Sequence, residues 1–368
     1  MKIKYLYLEN FTAFDKAKFE FCDGINVLIG ANGTGKTHAM MAMYTVAPLL
    51  YFFPNLWTEI FNVTNIKYLI RNYNEKNILH NKENTSIDNK TTSSETIQDI
   101  SKKILVGKVD DILYEKKSGK VLTKIEINTI YREDAPYFQV YLPTTEMLSI
   151  YDHFFATYER QHIPYNRIHY DLALNLNEAI LRESHEDYKA IEPIIKNIQE
   201  IVTGSKDQEE DLVILENNHF YFNLHGKKLD VNLVADGYRK LGTLYYLLRN
   251  GSLTTNSILF WDEPEASLNP ILIRKTADII RQLGLAGIQV FVSTHDYLLA
   301  HELSLLAEYP TPPAPEKPNI RFFALYKDEP LAPTQIETGD TLSEIQHDDI
   351  LNEFAAHNDH EANLFNGV

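Results

Sequence analysis

The segment Gly30-Ala31-Asn32-Gly33-Thr34-Gly35-Lys36-Thr37 decides the reading of this chain. It fits the spacing G-x-x-x-x-G-K-[ST], and Ile25-Asn26-Val27-Leu28-Ile29 before it reads as a buried strand running straight into it. Gly30, Gly33 and Gly35 allow a tight backbone curl that turns successive N–H groups and a helix N-terminus toward phosphate oxygens. Lys36 is placed to neutralise the β- and γ-phosphates, and Thr37 to offer its hydroxyl to Mg²⁺. The apolar run His38-Ala39-Met40-Met41-Ala42-Met43 predicts a buried helix that ends near Pro48.

Composition bounds the rest. The chain has 368 residues, enough for one large α/β domain with insertions, and a hydrophobic fraction of 44% supports a substantial core. No run of 18 apolar residues occurs, and the N-terminus (Met1-Lys2-Ile3-Lys4) reads as a strand rather than a signal peptide. The single cysteine, Cys22, excludes a disulfide framework and a Cys-based zinc site, so a cytoplasmic home is expected. A net charge of −16 argues against a surface devoted to nucleic acid, because phosphate binding needs concentrated Lys and Arg. Residues 333–368 carry eight acids and no Lys or Arg, half of that net charge.

Alternating patterns predict strands at 2–8 and 17–21, separated by a loop at Glu9–Phe14. Further strands are expected at 121–130 and 137–142. The polar stretch 74–99 reads as a surface insertion. Residues 146–204 read as helical with a break at Ile163-Pro164. There aromatic and basic residues interleave (Tyr158, Arg160, Tyr165, Arg167, Tyr170), as in amphipathic core helices or, alternatively, a nucleic-acid surface. Residues 211–224 predict a hairpin around Asn217-Asn218, followed by a third short strand after His225-Gly226. Asp236 is then a candidate N-cap for a helix that buries Leu241, Leu244, Tyr245 and Leu248 and closes at Asn250-Gly251.

Ser257-Ile258-Leu259-Phe260-Trp261-Asp262-Glu263-Pro264 is an apolar strand ending in two carboxylates. Asp262 would hold Mg²⁺, and Glu263 would polarise the water that attacks a γ-phosphate. Asn269-Pro270 reads as an N-cap and first residue of a helix to Gly284. The strand Ile288–Val292 leads to Ser293-Thr294-His295-Asp296, where His295 can reach a γ-phosphate. After five prolines between 310 and 318, Arg321–Tyr326 reads as a last strand before an acidic, partly ordered terminus.

This order of parts resembles the head of ABC-type ATPases, and Glu9-Asn10-Phe11, Phe14 and Phe260-Trp261-Asp262-Glu263-Pro264-Glu265-Ala266-Ser267-Leu268-Asn269-Pro270 resemble its RecF/OLD-like branch (AAA_15/AAA_21-like). The likeness covers roughly 1–50 and 210–300. It implies an α/β P-loop NTPase of ABC-ATPase type, with a mixed central sheet, an antiparallel β subdomain and a helical insertion. By the same resemblance Gly30–Thr37 is the Walker A loop, Asp262 and Glu263 the Walker B pair, Ala266–Pro270 the D-loop and His295 the switch histidine. Val234–Arg239 takes the signature position.

The implied nucleotide-binding set is Gly30, Ala31, Asn32, Gly33, Thr34, Gly35, Lys36, Thr37 and His38, joined by Asp236 and Gly237. Glu263, His295 and Lys36 are the implied catalytic residues, Thr37 and Asp262 the Mg²⁺ ligands, and ATP the substrate. In such heads the signature faces ATP on a second head, so a homodimer or higher oligomer forms around the nucleotide. Two departures stand out: Ala235 replaces the signature serine, leaving Gly237, with Arg239 or Lys240, to act there. Leu142-Pro143-Thr144-Thr145-Glu146 lacks the usual Q-loop glutamine. OLD-type nucleases continue into a Toprim domain, for which the 73 residues after His295 are too few. The expectation is therefore an ATPase that acts as a switch or motor for a separate nuclease or toxin in DNA surveillance or phage defence, with no membrane. The alternatives are a DNA-repair ATPase that binds DNA directly and a nucleotide-gated scaffold with little turnover. The expected parts are an N-terminal lobe (1–50), a β-containing insertion (51–136), a helical subdomain (137–204), a second ATPase lobe (205–309) and a C-terminal extension (310–368).

Overall fold

A computed structural model describes residues 2–45, 59–62, 108–115, 121–130, 139–160, 165–206, 209–309 and 318–366. The polar stretch 74–99, Tyr137-Phe138, Ile163-Pro164 and most of the proline run lie outside them. The described strands are β1 (Lys2–Phe11), β2 (Phe14–Glu20), β3 (Ile25–Ile29), β4 (Lys108–Glu115), β5 (Val121–Ile130), β6 (Gln139–Leu142), β7 (Val213–Glu216), β8 (His219–Leu224), β9 (Lys227–Asp230), β10 (Ile258–Asp262), β11 (Gln289–Thr294), β12 (Ile320–Tyr326) and β13 (Gln335–Gly339). The principal helices are α1 (Lys36–Tyr44), α2 (Phe154–Arg160), α3 (Arg167–Leu176), α4 (Glu186–Thr203), α5 (Asp236–Arg249), α6 (Pro270–Leu285), α7 (Tyr297–Glu308) and α8 (Asp349–Asn366).

The central sheet runs β13-β12-β3-β11-β10-β6, parallel except for the antiparallel edge strand β13. Its inner strands are uniformly apolar because both faces are covered. Alternation along each strand divides them: Val27, Ile29, Leu259, Trp261, Val290 and Val292 join a core with helices α4 to α7. Leu28, Phe260, Phe291 and Phe323 turn to the opposite core, built with α1 and the second sheet, β2-β1-β5-β4. Phe260, Phe291, Phe322 and Phe323 are completely buried, each contributing about 2–3 kcal/mol of transfer free energy. Two buried amides weld the sheets. Gln289 donates to the carbonyls of Ile3 and Cys22 and accepts from the Ile3 N–H, and Asn26 exchanges bonds with the Cys22 backbone.

Several boundaries depart from the sequence reading. β1 continues through Phe11, so the loop expected at Glu9–Phe14 shrinks to Thr12-Ala13, where Thr12 takes φ 46°. Ala235 rather than Asp236 caps α5; Asp236 is its first residue and accepts from Arg239 at 3.0 Å instead of capping. The acidic terminus contains strand β13 and helix α8. The hairpin β7–β8 turns at Asn217-Asn218, with φ 52° and 60°, the left-handed pair that matches strand twist.

The aromatics of α2 and α3 pack on one another rather than facing outward. Phe154 stacks with Tyr158, Tyr158 meets Tyr170 at a tilt of 39°, and Arg167 pairs with Asp171 at 2.7 Å. Within this cluster burial lowers the His169 imidazole to about 4, and its Nε2 has no hydrogen-bond partner among the described residues. A depressed histidine favours the neutral form in the fold, so its contribution is full above pH ~6.5 and is lost as pH falls toward 4. Allowing for the ring's partial exposure, wild type should lose about 1–2 kcal/mol more than His169→Phe between those limits. Denaturant melts at pH 7 and 4.5 measure the difference, and equal losses in both proteins would dismiss His169 as the cause.

Candidate active site

The phosphate loop leaves β3 and enters α1. Gly30 (φ 140°) runs so close to β12 that an added Cβ would lie 2.2 Å from the Leu325 carbonyl oxygen. Gly35, at φ 95°, caps α1. Both positions require glycine on conformational grounds, and at Gly30 on steric ones. Thr34 Oγ1 closes the loop onto the Ala31 carbonyl at 2.9 Å. Ala31, Asn32 and Gly33 are exposed at its crest, and the His38 ring stands 5.6 Å from Phe61 on the following turn. The buried Lys36 ammonium donates to the carbonyls of Gly30 and Ala31 at 2.7 and 3.0 Å. Burial lowers its pKa, while Glu263, Asp262 and Glu265 oppose the shift.

Strands β3, β11 and β10 lie side by side and parallel, so their C-terminal ends share one edge of the sheet. That geometry assembles the site. Asp262, last on β10, accepts from Thr37 Oγ1 at 3.1 Å, from Tyr141 at 3.4 Å and from Ser293 Oγ. Burial raises its carboxyl above the ordinary range, with the hydroxyls of Ser293 and Thr37 opposing. A hydroxyl beside a buried carboxylate is the oxygen donor set that suits Mg²⁺. Thr37 and Asp262 would hold that ion, which supplies positive charge against the β- and γ-phosphates.

Glu263, one residue on, takes φ 48° and donates its N–H to the Ser293 carbonyl at 3.0 Å. The left-handed backbone turns its partly exposed side chain out of the sheet, where its Oε1 lies 3.0 Å from His295 Nδ1. A carboxylate and an imidazole thus meet at the strand ends, beside the glycine-rich loop.

The D-loop and signature segment also meet. Asn269 caps α6 by accepting from the Leu272 N–H at 3.0 Å, with Pro270 as first residue. A Cβ on Gly237 would come within 2.8 Å of Leu268 and 3.0 Å of the Ser267 carbonyl. Gly237 therefore lets the start of α5 lie against the chain's own D-loop. Arg239 and Lys240 do not project from this helix as the loss of the signature serine suggested. Arg239 is tied to Glu146 at 3.1 Å and to Asp236 at 3.0 Å. Lys240 is buried, its pKa lowered by desolvation against the pull of Asp236, Glu265, Glu263 and Glu146. Arg239 is thus spent on carboxylates of its own chain and Lys240 is buried, so neither cation is presented outward from this helix.

Glu146 stands where the Q-loop glutamine was missing. It is buried, accepts from the Leu148 and Ser149 N–H groups, and joins the exit of β6 to α5 through Arg239. Tyr141, Glu146, Ser293, Thr294 and Glu265 were not singled out for this site from sequence. The signals were present for the last three: two hydroxyls immediately before His295, and a third carboxylate in Asp262-Glu263-Pro264-Glu265.

A family model described as "AAA domain, putative AbiEii toxin, Type IV TA system" matches residues 25–300, and a second AAA domain model matches residues 5–44. No curated protein matches the chain. Among solved structures, an SMC head bound to the C-terminal winged-helix domain of ScpA shares 10% identity at a TM-score of 0.49, covering 92% of this chain and 98% of that one. The SMC head domain from Thermotoga maritima shares 14% at 0.42, covering 92% and 99%. An SMC head with an extended coiled coil, bound to the C-terminal domain of ScpA derived from Pyrococcus furiosus, shares 12% at 0.44, covering 96% and 99%. The match over residues 25–300 spans the glycine-rich loop, both strand-end carboxylates and the histidine: the chain, an α/β fold with a mixed central sheet, belongs to this AAA domain family.

Proposed function

We propose that this chain is a RecF/OLD-like ATP-hydrolysing head that closes on a second copy around ATP and Mg²⁺. The observation that carries the reading is the convergence of Lys36, Thr37, Asp262, Glu263 and His295 at one sheet edge, with Thr37 on Asp262 and Glu263 on His295. In this reading the γ-phosphate lies between Lys36 and His295, and Glu263 takes the proton of the attacking water. Phosphoryl transfer depends on such positioning and charge more than on covalent chemistry.

Two exposed apolar residues support the two-head arrangement. Leu233, just before the signature segment, and Ile271, just after the D-loop, are 75% and 70% exposed. Both flank the Gly237–Leu268 contact in sequence, on the segments an apposed head would cover. With Arg239 and Lys240 turned inward, the N-terminus of α5 is the part of the signature segment proposed to meet the second head's ATP, as helix N-termini bind anions.

The family description names a toxin of a type IV toxin–antitoxin system. It supports a role in defence, with the head as a switch or motor for a nuclease or toxin on another chain, in the cytoplasm. After His295 the described residues form α7, β12, β13 and α8. No described helix is long and apolar enough to cross a membrane. The five-part division of the chain is retained within this proposal.

Light scattering with phosphate release tests the reading. ATP with Mg²⁺ should double the mass of the particle and release phosphate, ADP should do neither, and EDTA should abolish turnover. A particle of constant mass that releases no phosphate under any of these conditions would overturn the proposal.

A further inference from the structure

Glu265 lies in the tight turn between β10 and α6, where Ala266 bonds back to the Glu263 carbonyl and Leu268 to that of Glu265. Carboxylates in such turns ordinarily face water. This one is buried, its side chain 6% exposed, and burial raises its carboxyl above the ordinary range. Its Oε1 accepts from the Thr294 hydroxyl at 2.7 Å and from the His295 N–H at 3.3 Å. Thr294 Oγ1 in turn accepts from the Asp296 N–H at 3.0 Å, so one oxygen anchors the chain on both sides of His295. The other oxygen, Oε2, is buried with no hydrogen-bond partner among the described residues.

A buried carboxylate with an idle oxygen costs about 1–3 kcal/mol or more in desolvation, so a purely structural clamp here is poorly accounted for; a threonine or glutamine would hold the same two donors. The geometry around the imidazole supplies a reason for it. His295 Nδ1 lies 3.0 Å from Glu263 Oε1 and 3.8 Å from Glu265 Oε1, between two acceptors. A base whose oxygen is occupied by an imidazole N–H is a poorer proton acceptor for water. Moving the ring by less than about an ångström transfers that N–H from one carboxylate to the other within hydrogen-bond range.

We propose that Glu265 is a positioning residue that takes over the Nδ1–H of His295, freeing Glu263 to accept the proton of the attacking water while Nε2 stays directed outward. No covalent bond changes in the handover itself, in which one hydrogen bond changes its acceptor. In the hydrolysis that follows, the water O–H bond breaks as its proton passes to Glu263, the water oxygen bonds to the γ-phosphorus, and the bond from that phosphorus to the departing ADP oxygen breaks. The inference rests on the ATPase reading for its consequence but not for its geometry.

Glu265→Gln is the test, because the amide keeps an acceptor for Thr294 and the His295 N–H while losing the charge. Two readouts are needed: ¹⁵N signals of the His295 ring with a non-hydrolysable ATP analogue and Mg²⁺ present, and kcat beside the affinity for that analogue. The expected result is a ring shifted away from a pure Nδ1–H tautomer and kcat about tenfold lower, with nucleotide affinity within about twofold. Glu265→Asp, which retains charge at a shorter reach, should recover part of both. Wild-type ring signals in Glu265→Gln would overturn the contact, and wild-type kcat would overturn the handover. Should Glu265→Gln fail to fold, Thr294→Val releases the anchor on Oε1; unchanged ring signals there count against the proposal. If wild type itself hydrolyses no ATP, the ATPase reading fails, and the ring signals still decide whether Glu265 sets the histidine.

Discussion

Glu263→Gln should bind ATP with unchanged affinity, hydrolyse it at least about a hundredfold more slowly, and accumulate as a dimer in ATP. The substitution preserves shape and removes basicity. Glu263 is held by its N–H to the Ser293 carbonyl at 3.0 Å, and its left-handed φ of 48° is a backbone matter that glutamine meets as glutamate does. Folding should therefore survive. Among the described residues its side chain pairs with His295 and makes no hydrogen bond to the phosphate loop, and Thr37 and Asp262 are left intact, so binding should survive as well. What disappears is the acceptor for the water proton, and without it the ATP-bound state has no fast exit. Light scattering in ATP, phosphate release and equilibrium binding of a fluorescent analogue separate these effects. Normal turnover in the variant would remove Glu263 from the mechanism; lost binding would mean that it serves as a structural prop.

The parts that hold this site were legible in sequence to unequal degrees, for physical reasons. β3, β10 and β11 announce themselves because strands buried on both faces must be continuously apolar, and each ends in polar residues at the same edge. The Asn269-Pro270 start of α6 is a local signal and was read as it stands, with the helix ending at Leu285, one residue beyond the expected Gly284. β13, in contrast, is Gln335-Ile336-Glu337-Thr338-Gly339, a half-exposed stretch that becomes a strand only through pairing with β12. α8 leaves Leu351, Phe354, Leu364 and Phe365 exposed, so it carries no buried periodic face for a reader to find. The tie that Glu146 makes between the exit of β6 and α5 was invisible because its partner, Arg239, lies far away along the chain. Tyr141 likewise reaches Asp262 only through the lateral pairing of β6 with β10. Pairings between distant elements decide such roles, and local patterns do not encode them.

Lys36→Ala should lower ATP affinity by about two to three orders of magnitude and leave the ligand-free fold nearly as stable as wild type. The two halves of this expectation have different causes. Without nucleotide, the ammonium serves the carbonyls of Gly30 and Ala31 at 2.7 and 3.0 Å. Its loss leaves two loop acceptors short of a donor, about 1 kcal/mol each, but also removes a cation whose burial is unfavourable enough to lower its pKa. These terms oppose each other and should nearly cancel. With nucleotide present, the same ammonium would exchange neutral carbonyls for phosphate oxygens, and charge-assisted bonds contribute about 1.5–3 kcal/mol apiece. Two of them at the upper end make about 5–6 kcal/mol, and less the two carbonyl bonds given up, about 1 kcal/mol each, the net is about 3–4 kcal/mol, or a factor of roughly 100 to 1,000 in the dissociation constant. Thermal melts read both terms in one experiment. At ATP about a hundredfold above the wild-type dissociation constant, ligand binding adds ~2.7 kcal/mol to wild-type stability, and this increment should vanish in the variant. Ligand-free melting temperatures should agree within a few degrees. An ATP-induced rise that persists in Lys36→Ala would place phosphate recognition elsewhere and undo the assignment of the loop; a large ligand-free loss would mean that Lys36 is first a structural residue, held by its own loop.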